Sequence, residues 1–424
     1  MRLLDGLFSR LIRNGPLTVT DAAGNVRVHG VPTPCLTPVA IRLTDRSTER
    51  RILDNAALGF GEAYMDGGLV VEEGDIRDLL DLIGFNTRWD KDNPVRAALW
   101  RPQRFTATLD AWNWKRRSQR NVAHHYDLSD RLYRLFLDAD RQYSCAYFTN
   151  PGKSLDQAQA DKKAHIAAKL RLEPGQRVLD IGCGWGGMAL YLNAEADVDV
   201  LGITLSEEQL KVARRRAEEA GVADRVKFER IDYREVTGRF DRIVSIGMFE
   251  HVGPPHYRAF FSRCRDLLAE DGVMLLHTIA RADGPMTTDR WLAKYIFPGG
   301  YIPALSQIVP AIEKSWLWLT DVEVLRGHYT LTLGHWYDRT AAARDEIVAL
   351  YDERFFRMWQ FYLAGAISAF RHNGHVVMQL QLARSRDTLP QTRDYMASAE
   401  TRLREAAAAP NEAASGPVHT MVDK

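Results

Sequence analysis

Apolar and polar positions along the chain follow two regimes. Up to about residue 92 the periods are mixed. Leu3, Leu4, Leu7, Phe8, Leu11 and Ile12 recur at helical spacing with Arg2, Arg10 and Arg13 beside them, which predicts an amphipathic helix over 1–14. Leu17 to Val28 alternates around Asp21-Ala22-Ala23-Gly24-Asn25 and reads as a hairpin. Val39–Leu43 predicts a strand, Arg50 to Tyr64 a helix, and Gly74-Asp75 opens another helix through Ile83. This α+β region, 1–92, holds no nucleophile–base pair, so its expected role is binding or assembly. Its basic first helix either lies on an anionic membrane or docks on its own domain, and both readings stay open.

From 121 to 390 the period changes. Short apolar runs at Val178–Ile181, Asp199–Ile203, Val226–Asp232, Phe240–Ile246 and Gly272–His277 alternate with helical stretches such as Glu207 to Ala220. That pattern predicts a parallel, doubly wound α/β sheet, with ligands bound outside the carboxyl ends of the strands. The rule gathers Asp180, a glycine turn, Thr204, Asp232, Gly247, Glu250 and His277 onto one rim. An insertion from Arg281 to Leu319, with Phe297-Pro298-Gly299-Gly300-Tyr301-Ile302-Pro303 inside it, reads as a lid or the wall of an apolar pocket. Residues 93–120 interleave Arg96, Arg101, Arg104, Lys115, Arg116, Arg117 and Arg120 with Trp100, Trp112 and Trp114. They form a linker suited to a lipid headgroup region or to a solvated helix face. From 391 to 424 an Ala-, Glu- and Pro-rich composition predicts a frayed tail.

The glycine turn narrows the ligand. Gly182, Gly184 and Gly187 satisfy a GxGxxG spacing, but a dinucleotide also needs an acid about 20 residues further on. Here the second strand ends in Thr204-Leu205-Ser206, and the acid is Asp180 at the end of the first. An acid there suits a cationic small ligand such as the amino-acid part of S-adenosylmethionine; a tight turn without a ligand is the bland alternative.

Composition changes the picture in a few places. With 46% hydrophobic residues in 424, a large core is available, and a formal net charge of +1 makes no case for nucleic acid as a partner. Cys35, Cys145, Cys183 and Cys264 form no CxxC pair, so neither a disulfide framework nor a metal site is expected, and a reducing cytosol fits. No apolar run approaches the roughly 18 residues of a membrane span, which predicts a soluble protein or one attached to a membrane surface.

Candidates for chemistry lie in Met248-Phe249-Glu250-His251-Val252-Gly253, at His277, and in two segments before the sheet, His124-His125-Tyr126-Asp127 and Gln142-Tyr143-Ser144-Cys145-Ala146-Tyr147-Phe148. Singly, Cys145 reads as a small buried hydrophobe, His277 as a satisfied core histidine and Glu250 as a helix cap. Glu250 and His277 together, at adjacent strand ends, point toward one crevice.

These motifs, with Gly202-Ile203-Thr204-Leu205-Ser206-Glu207-Glu208-Gln209, Tyr295–Gly300, His328–Leu333 and Gly59–Gly67, make the chain resemble the cyclopropane-fatty-acyl-phospholipid synthases. Its second region is similar to the mycolic acid cyclopropane synthases. The resemblance implies a class I S-adenosylmethionine-dependent methyltransferase fold, Rossmann-like, with a smaller α+β N-terminal domain. It implies a bicarbonate ion as base, held by Cys145, Glu250, His277 and Tyr329 with backbone groups of Gly247 and Ile279. It places S-adenosylmethionine at Tyr143, Ser144, Gly182, Gly184, Thr204 and Gln209, near Asp232 and Tyr233; Asp180 joins them as a sulfonium-side anchor on the reading above. Tyr126, Tyr147, Phe148, Phe297 and Tyr301 would line the acyl pocket, with the aromatic faces of Tyr147, Phe148 and Tyr301 stabilising a carbocation. The implied partner is a phospholipid bilayer contacted peripherally at the cytoplasmic face of a bacterial membrane, with a homodimer as the implied assembly. A lipid methyltransferase that leaves a methyl branch, and a lipid-binding protein on an inactive methyltransferase fold, are the competing expectations.

Overall fold

The computed structural model describes residues 2–90 and 128–408. Expectations about Tyr126, the His124–Asp127 segment and the 93–120 linker therefore lie outside the described residues.

In the first region β1 (Leu17–Thr20) and β2 (Val26–His29) form the expected hairpin. Asp21 closes the turn by accepting from the backbone of Ala23 and Asn25 at 2.9 and 2.8 Å. Beside them run β3 (Val39–Leu43), parallel to β1, and β4 (Leu69–Glu73), a strand not anticipated. The first helix, α1 (Arg2–Leu11), turns Leu4 and Phe8 into the core, with Ile12 just beyond its end, so its apolar face docks on its own domain. Where one helix was expected over 50–64 there are two, α2 (Arg46–Asp54) and α3 (Ala56–Met65). Asn55 breaks them apart: its backbone is extended, and its side chain caps α3 by accepting from Leu58 N–H at 3.3 Å. α4 (Ile76–Asn86) completes the region, capped by Asp75.

The larger sheet has, among the described residues, the order β10-β11-β9-β8-β5-β6-β7. β5 (Arg177–Ile181), β6 (Asp199–Ile203), β7 (Val226–Glu229), β8 (Phe240–Ile246) and β9 (Leu268–Arg281) are parallel, as expected. The sheet is mixed rather than wholly parallel. β11 (His375–Ala383) inserts antiparallel beside β9, and β10 (Trp318–Leu325) is antiparallel to β11. Pairing with β11 also carries β9 four residues past His277, to Arg281. Flanking helices include α5 (Asp130–Phe136), α6 (Leu155–Leu170), α7 (Gly187–Ala196), α8 (Glu207–Glu219) and α9 (Tyr257–Leu267). The tail corrects another expectation. Residues 394–408 are helical rather than frayed, because Glu400 and Arg404 bind His165 and Asp161 of α6.

The two regions share one hydrophobic core, in which Leu4, Leu43 and Leu82 belong with Phe136, Trp336 and Trp359. The glycine-rich stretch 59–67 forms much of the joint. Most of it lies in α3, which ends at Met65 and faces α10 (Arg290–Tyr295) of the insertion and α14 (Glu353–His372). Glu62 accepts from Lys294 and from the Tyr295 hydroxyl, both at 2.7 Å, and Asp66 holds Arg354 at 2.8 Å. A Cβ on Gly61 would stand 2.5 Å from Trp291 Nε1 and 2.9 Å from Phe361. The insertion is thus gripped by the N-terminal region through a position that admits no side chain. Alanine is favoured over glycine by about 1 kcal/mol in an open helix, whereas overpacking costs about 1–3 kcal/mol. Gly61→Ala is therefore expected to lower the urea midpoint; a raised midpoint would show that the Trp291 contact is loose.

Candidate active site

The carboxyl ends of β5, β6, β7 and β8 open into a cleft. All nine residues expected to hold the cofactor line it: Tyr143, Ser144, Asp180, Gly182, Gly184, Thr204, Gln209, Asp232 and Tyr233. Its floor is the turn between β5 and α7. Gly182 and Gly184 both have positive φ, at +87° and +54°, where a side chain is strained. At Gly182 an added Cβ would also stand 2.8 Å from Met248 Cβ, while at Gly184 it would enter open space. The N–H groups of Gly182 and Cys183 bond to the Ile203 carbonyl at 2.9 and 3.0 Å, so they tie the turn to β6 rather than face a ligand.

Five of the cofactor candidates, Tyr143, Ser144, Thr204, Gln209 and Asp232, are held from behind. Thr204 donates to Gln209 Oε1 at 2.9 Å and accepts from Ser206 N–H at 3.2 Å, which fixes both where a ribose-binding acid stands in dinucleotide sites. Asp232 is bidentate to Arg234, at 2.8 and 2.6 Å, so its carboxylate serves as an anchor for the loop. Tyr143 shares a 3.0 Å hydrogen bond with the Tyr362 hydroxyl and stacks on Trp336. Gln159 and Lys162, on one face of α6, clamp the segment before it. Gln159 donates to the carbonyls of Gln142 and Ser144, and Lys162 to Gln142 Oε1 at 2.5 Å and Ser144 Oγ at 3.0 Å. Lys162 is wholly buried, and burial brings its pKa down to about 8. Nothing in a helix reading DQAQADKKAHIAAKL marks this lysine as buried. His251, named within the Met248–Gly253 candidate segment but given no role there, also lines the cleft and is kept neutral by burial (pKa about 4).

Asp180 carries the site's most exposed need. It is buried, its Oδ2 has no hydrogen-bond partner, and burial raises its pKa to about 7 against a weaker opposing effect of Lys162. A cleft with an unpartnered buried carboxylate oxygen fits a ligand that brings a positive charge.

The second cluster stands just past the end of β8 and beside His277 within β9. Glu250 lies in a short 3-10 turn between cleft-lining Met248 and His251. Its Oε1 accepts from Ile279 N–H at 2.6 Å, its Oε2 is buried without a partner, and burial raises its pKa. His277 is buried and held neutral, its pKa well below the usual range through desolvation and nearby Lys162 and Lys169. The Gly247 N–H goes to the His277 carbonyl at 2.9 Å and the Ile279 N–H to Glu250. Both N–H groups are therefore committed within the protein, and the expectation that the backbone of Gly247 and Ile279 holds an anion finds no donor there. Cys145 and Tyr329 come from the aromatic core instead. Ala146 N–H donates to Thr332, which lies one turn beyond Tyr329 on α12 (His328–Ala342). Burial keeps the Cys145 thiol protonated, and it donates to the Ala146 carbonyl at 3.3 Å.

The aromatic candidates divide. Tyr147 has both faces covered, by His165 at 4.0 Å and His328 at 4.8 Å, with Arg404 over the ring, so its face is not available to a carbocation. Phe148 stacks on His335. Tyr301 stays beside the site, its N–H donating to the Glu250 carbonyl at 2.8 Å. Phe297 meets Tyr362 edge-on, and Tyr362 links it to Tyr143, making Tyr362 an aromatic the sequence reading missed.

A central β5 with β6 on one side and β8 on the other, a glycine turn and a cleft at the strand ends define a class I S-adenosylmethionine-dependent methyltransferase. Residues 113–380 match the family described as mycolic acid cyclopropane synthetase, and the chain belongs to that family. It is 38% identical over 355 residues to the cyclopropane-fatty-acyl-phospholipid synthase of Escherichia coli K12, covering 82% of this chain and 88% of that one. It is 41% identical over 293 residues to a probable fatty acid methyltransferase of Pseudomonas putida, covering 66% and 74%. Among solved structures, the mycolic acid cyclopropane synthase CmaA1 complexed with SAH and CTAB is 34% identical and superposes with a TM-score of 0.60, covering 62% of this chain and 98% of that one.

The raised pKa of Asp180 has a checkable sign. A carboxyl with a higher pKa folded than unfolded adds stability below the unfolded value, 3.8, and that stability is lost as pH rises through about 7. In the ligand-free protein Asp180→Asn should raise the melting temperature at pH values above about 7 and flatten its fall across that window, an effect of a few kcal/mol at most. Unchanged pH dependence would mean that Asp180 ionises freely.

Proposed function

We propose that this enzyme adds a methylene from S-adenosylmethionine across the cis double bond of an unsaturated acyl chain in a membrane phospholipid, with bicarbonate as the base that closes the ring. The observation that carries the reading is the buried, unpartnered Glu250 Oε2 next to a cleft whose own acid, Asp180, is equally unpartnered. One oxygen suits a cationic donor and the other an anion that brings a proton. Phospholipid as substrate is supported by the Escherichia coli synthase, whose match is too long to be confined to 113–424 and so reaches into the N-terminal region. Among the described residues no helix is long and apolar enough to cross a membrane, which is compatible with peripheral contact. The basic, tryptophan-containing 93–120 segment is the stretch whose composition suits that contact.

Bound in the cleft, S-adenosylmethionine supplies an electrophilic methyl group, and bicarbonate beside Glu250 supplies a base that cannot itself be lost by alkylation of the protein. The chain's residues do the rest. Asp180 offers charge to the donor's cationic end, Thr204 and Gln209 take the ribose hydroxyls, and the Gly182–Gly184 turn admits the ligand closely. Glu250 accepts the anion's proton in a hydrogen bond and raises its basicity, while His277 and Tyr329 orient it and the Cys145 thiol turns from the Ala146 carbonyl to join them. Tyr301, Phe297 and Tyr362 wall the acyl chain, keep out water that would quench a carbocation, and offer aromatic edges and faces worth roughly 0.5–2 kcal/mol each. A homodimer on the cytoplasmic face of the membrane fits this substrate.

Mass spectrometry of membrane lipids from expressing cells tests the reading: each modified acyl chain should gain one methylene and no double bond, and carry a ring. The Pseudomonas putida relative favours a second reading, methylation without ring closure, and a branched product in place of the ring would select it. Glu250→Gln and Cys145→Ser should each lower ring formation by about 100-fold or more while leaving affinity for SAH by calorimetry nearly unchanged. Loss of SAH affinity in proportion to activity would remove both residues from the base site.

A further inference from the structure

Behind His277 lies a buried polar chain that the reaction as described does not use. His277 on β9 stands opposite Gln379 on β11, and Gln379 Nε2 lies 3.1 Å from His277 Nδ1. The other end of the amide, Oε1, lies 2.8 Å from Lys169 Nζ on α6. Lys169 also pairs with Glu323 of β10, and Glu323 takes His165 Nε2 at 2.7 Å. The other His165 nitrogen reaches Glu400 of the C-terminal helix at 2.9 Å. His277, Gln379 and Lys169 are each at most 2% exposed.

Hydrogen-bond polarity then runs in one direction. A lysine ammonium can only donate, so the amide atom facing Lys169 is the oxygen, however the amide is drawn. The atom facing His277 is therefore the NH₂ group, which also can only donate. Nδ1 must accept, and a ring accepting at Nδ1 carries its proton on Nε2. Turning the amide over would set NH₂ against a buried ammonium, which the Glu323 pair holds in place.

We propose that Lys169 and Gln379 are positioning residues that fix His277 as its Nε2–H tautomer, so that His277 donates a hydrogen bond to the reaction's anion and does not act as a base. The identity of that anion rests on the bicarbonate reading; the location of the proton does not. Burial acts in the same direction, since it keeps the ring neutral. The arrangement also explains why polar side chains sit wholly inside β11. Gln379 is bonded at both ends, and Gln381 donates to the Lys169 carbonyl at 2.6 Å and to the Tyr395 hydroxyl.

Nitrogen NMR of the full-length protein labelled with ¹⁵N-histidine, and loaded with SAH, reads the proton directly; His277→Gln assigns the signals by difference. At neutral pH the His277 Nδ1 should be unprotonated and Nε2 protonated. Gln379→Glu replaces the donor with an acceptor, so it should move the proton to Nδ1, leave SAH affinity nearly unchanged and lower turnover about 10- to 100-fold. Gln379→Met should give a mixture of tautomers and a smaller loss. A protonated Nδ1 in the wild type, whether neutral or imidazolium, overturns the proposal without recourse to any variant. Full turnover in Gln379→Glu with the proton moved overturns it as well. Wild-type turnover that ignores added bicarbonate in carbon-dioxide-free buffer would instead overturn the bicarbonate reading and the donor role built on it, while the tautomer stands on the spectrum.

Discussion

Desolvation of charge at the strand ends is the constraint on which the rest of this structure depends. Asp180, Glu250, His277 and Lys162 are all buried at or beneath the carboxyl edge of one sheet. Burial raises the two carboxyls, lowers the lysine and keeps the histidine neutral. Groups so placed are costly unless something answers them, and two carboxylate oxygens are left unanswered by the protein, Asp180 Oδ2 and Glu250 Oε2. A cleft opens at the first and adjoins the second. The cost left in the fold is therefore localised where ligands of opposite character would relieve it.

Everything around those groups works to hold them still. Lys162 and Gln159 clamp the 142–144 segment from α6, and Lys169 from the same helix locks Gln379. Glu250 is held at both levels, by the Ile279 N–H on its side chain and the Tyr301 N–H on its carbonyl. The second of these bonds couples the site to the insertion, whose α10 is in turn gripped by Glu62 and Gly61 of the N-terminal region. The small first region is thus more than an appendage. It shares the core and bears on the insertion.

Much of this was legible in the residues. Alternation located β5 to β8, the strand-end rule placed Asp180, Thr204, Asp232 and Gly247 on one rim, and the absence of an acid after β6 excluded a dinucleotide. What escaped has physical reasons. β11, HVVMQLQLA, alternates polar and apolar positions like a strand with one wet face, yet all but its first residue are buried, because Gln379 and Gln381 serve Lys169. Lys162 and Lys169 sit in a helix whose composition reads as solvated, and only the third dimension shows them buried. Asn55 divides two helices that a hydrophobic pattern joins. The tail is low in complexity, but Glu400 and Arg404 find partners on α6 that no local signal announces.

The aromatic residues show how packing reassigns roles that sequence leaves equivalent. Tyr147, Phe148 and Tyr301 were interchangeable as rings able to face a cation. In the fold Tyr147 lies between two imidazoles with Arg404 above it, and it joins His165 to the core rather than facing substrate. Stabilisation of a carbocation then falls, on the reading proposed, to rings tied to the site by hydrogen bonds. Tyr301 is joined to Glu250, and Tyr143 to Tyr362 and through it to Phe297. A ring fixed by its hydroxyl or backbone keeps its orientation as charge develops, so it costs no reorganisation at that moment. That same fixity is what a hydrogen-bonded base requires beside a methyl group, and it places the aromatic wall and Glu250 on one rigid frame.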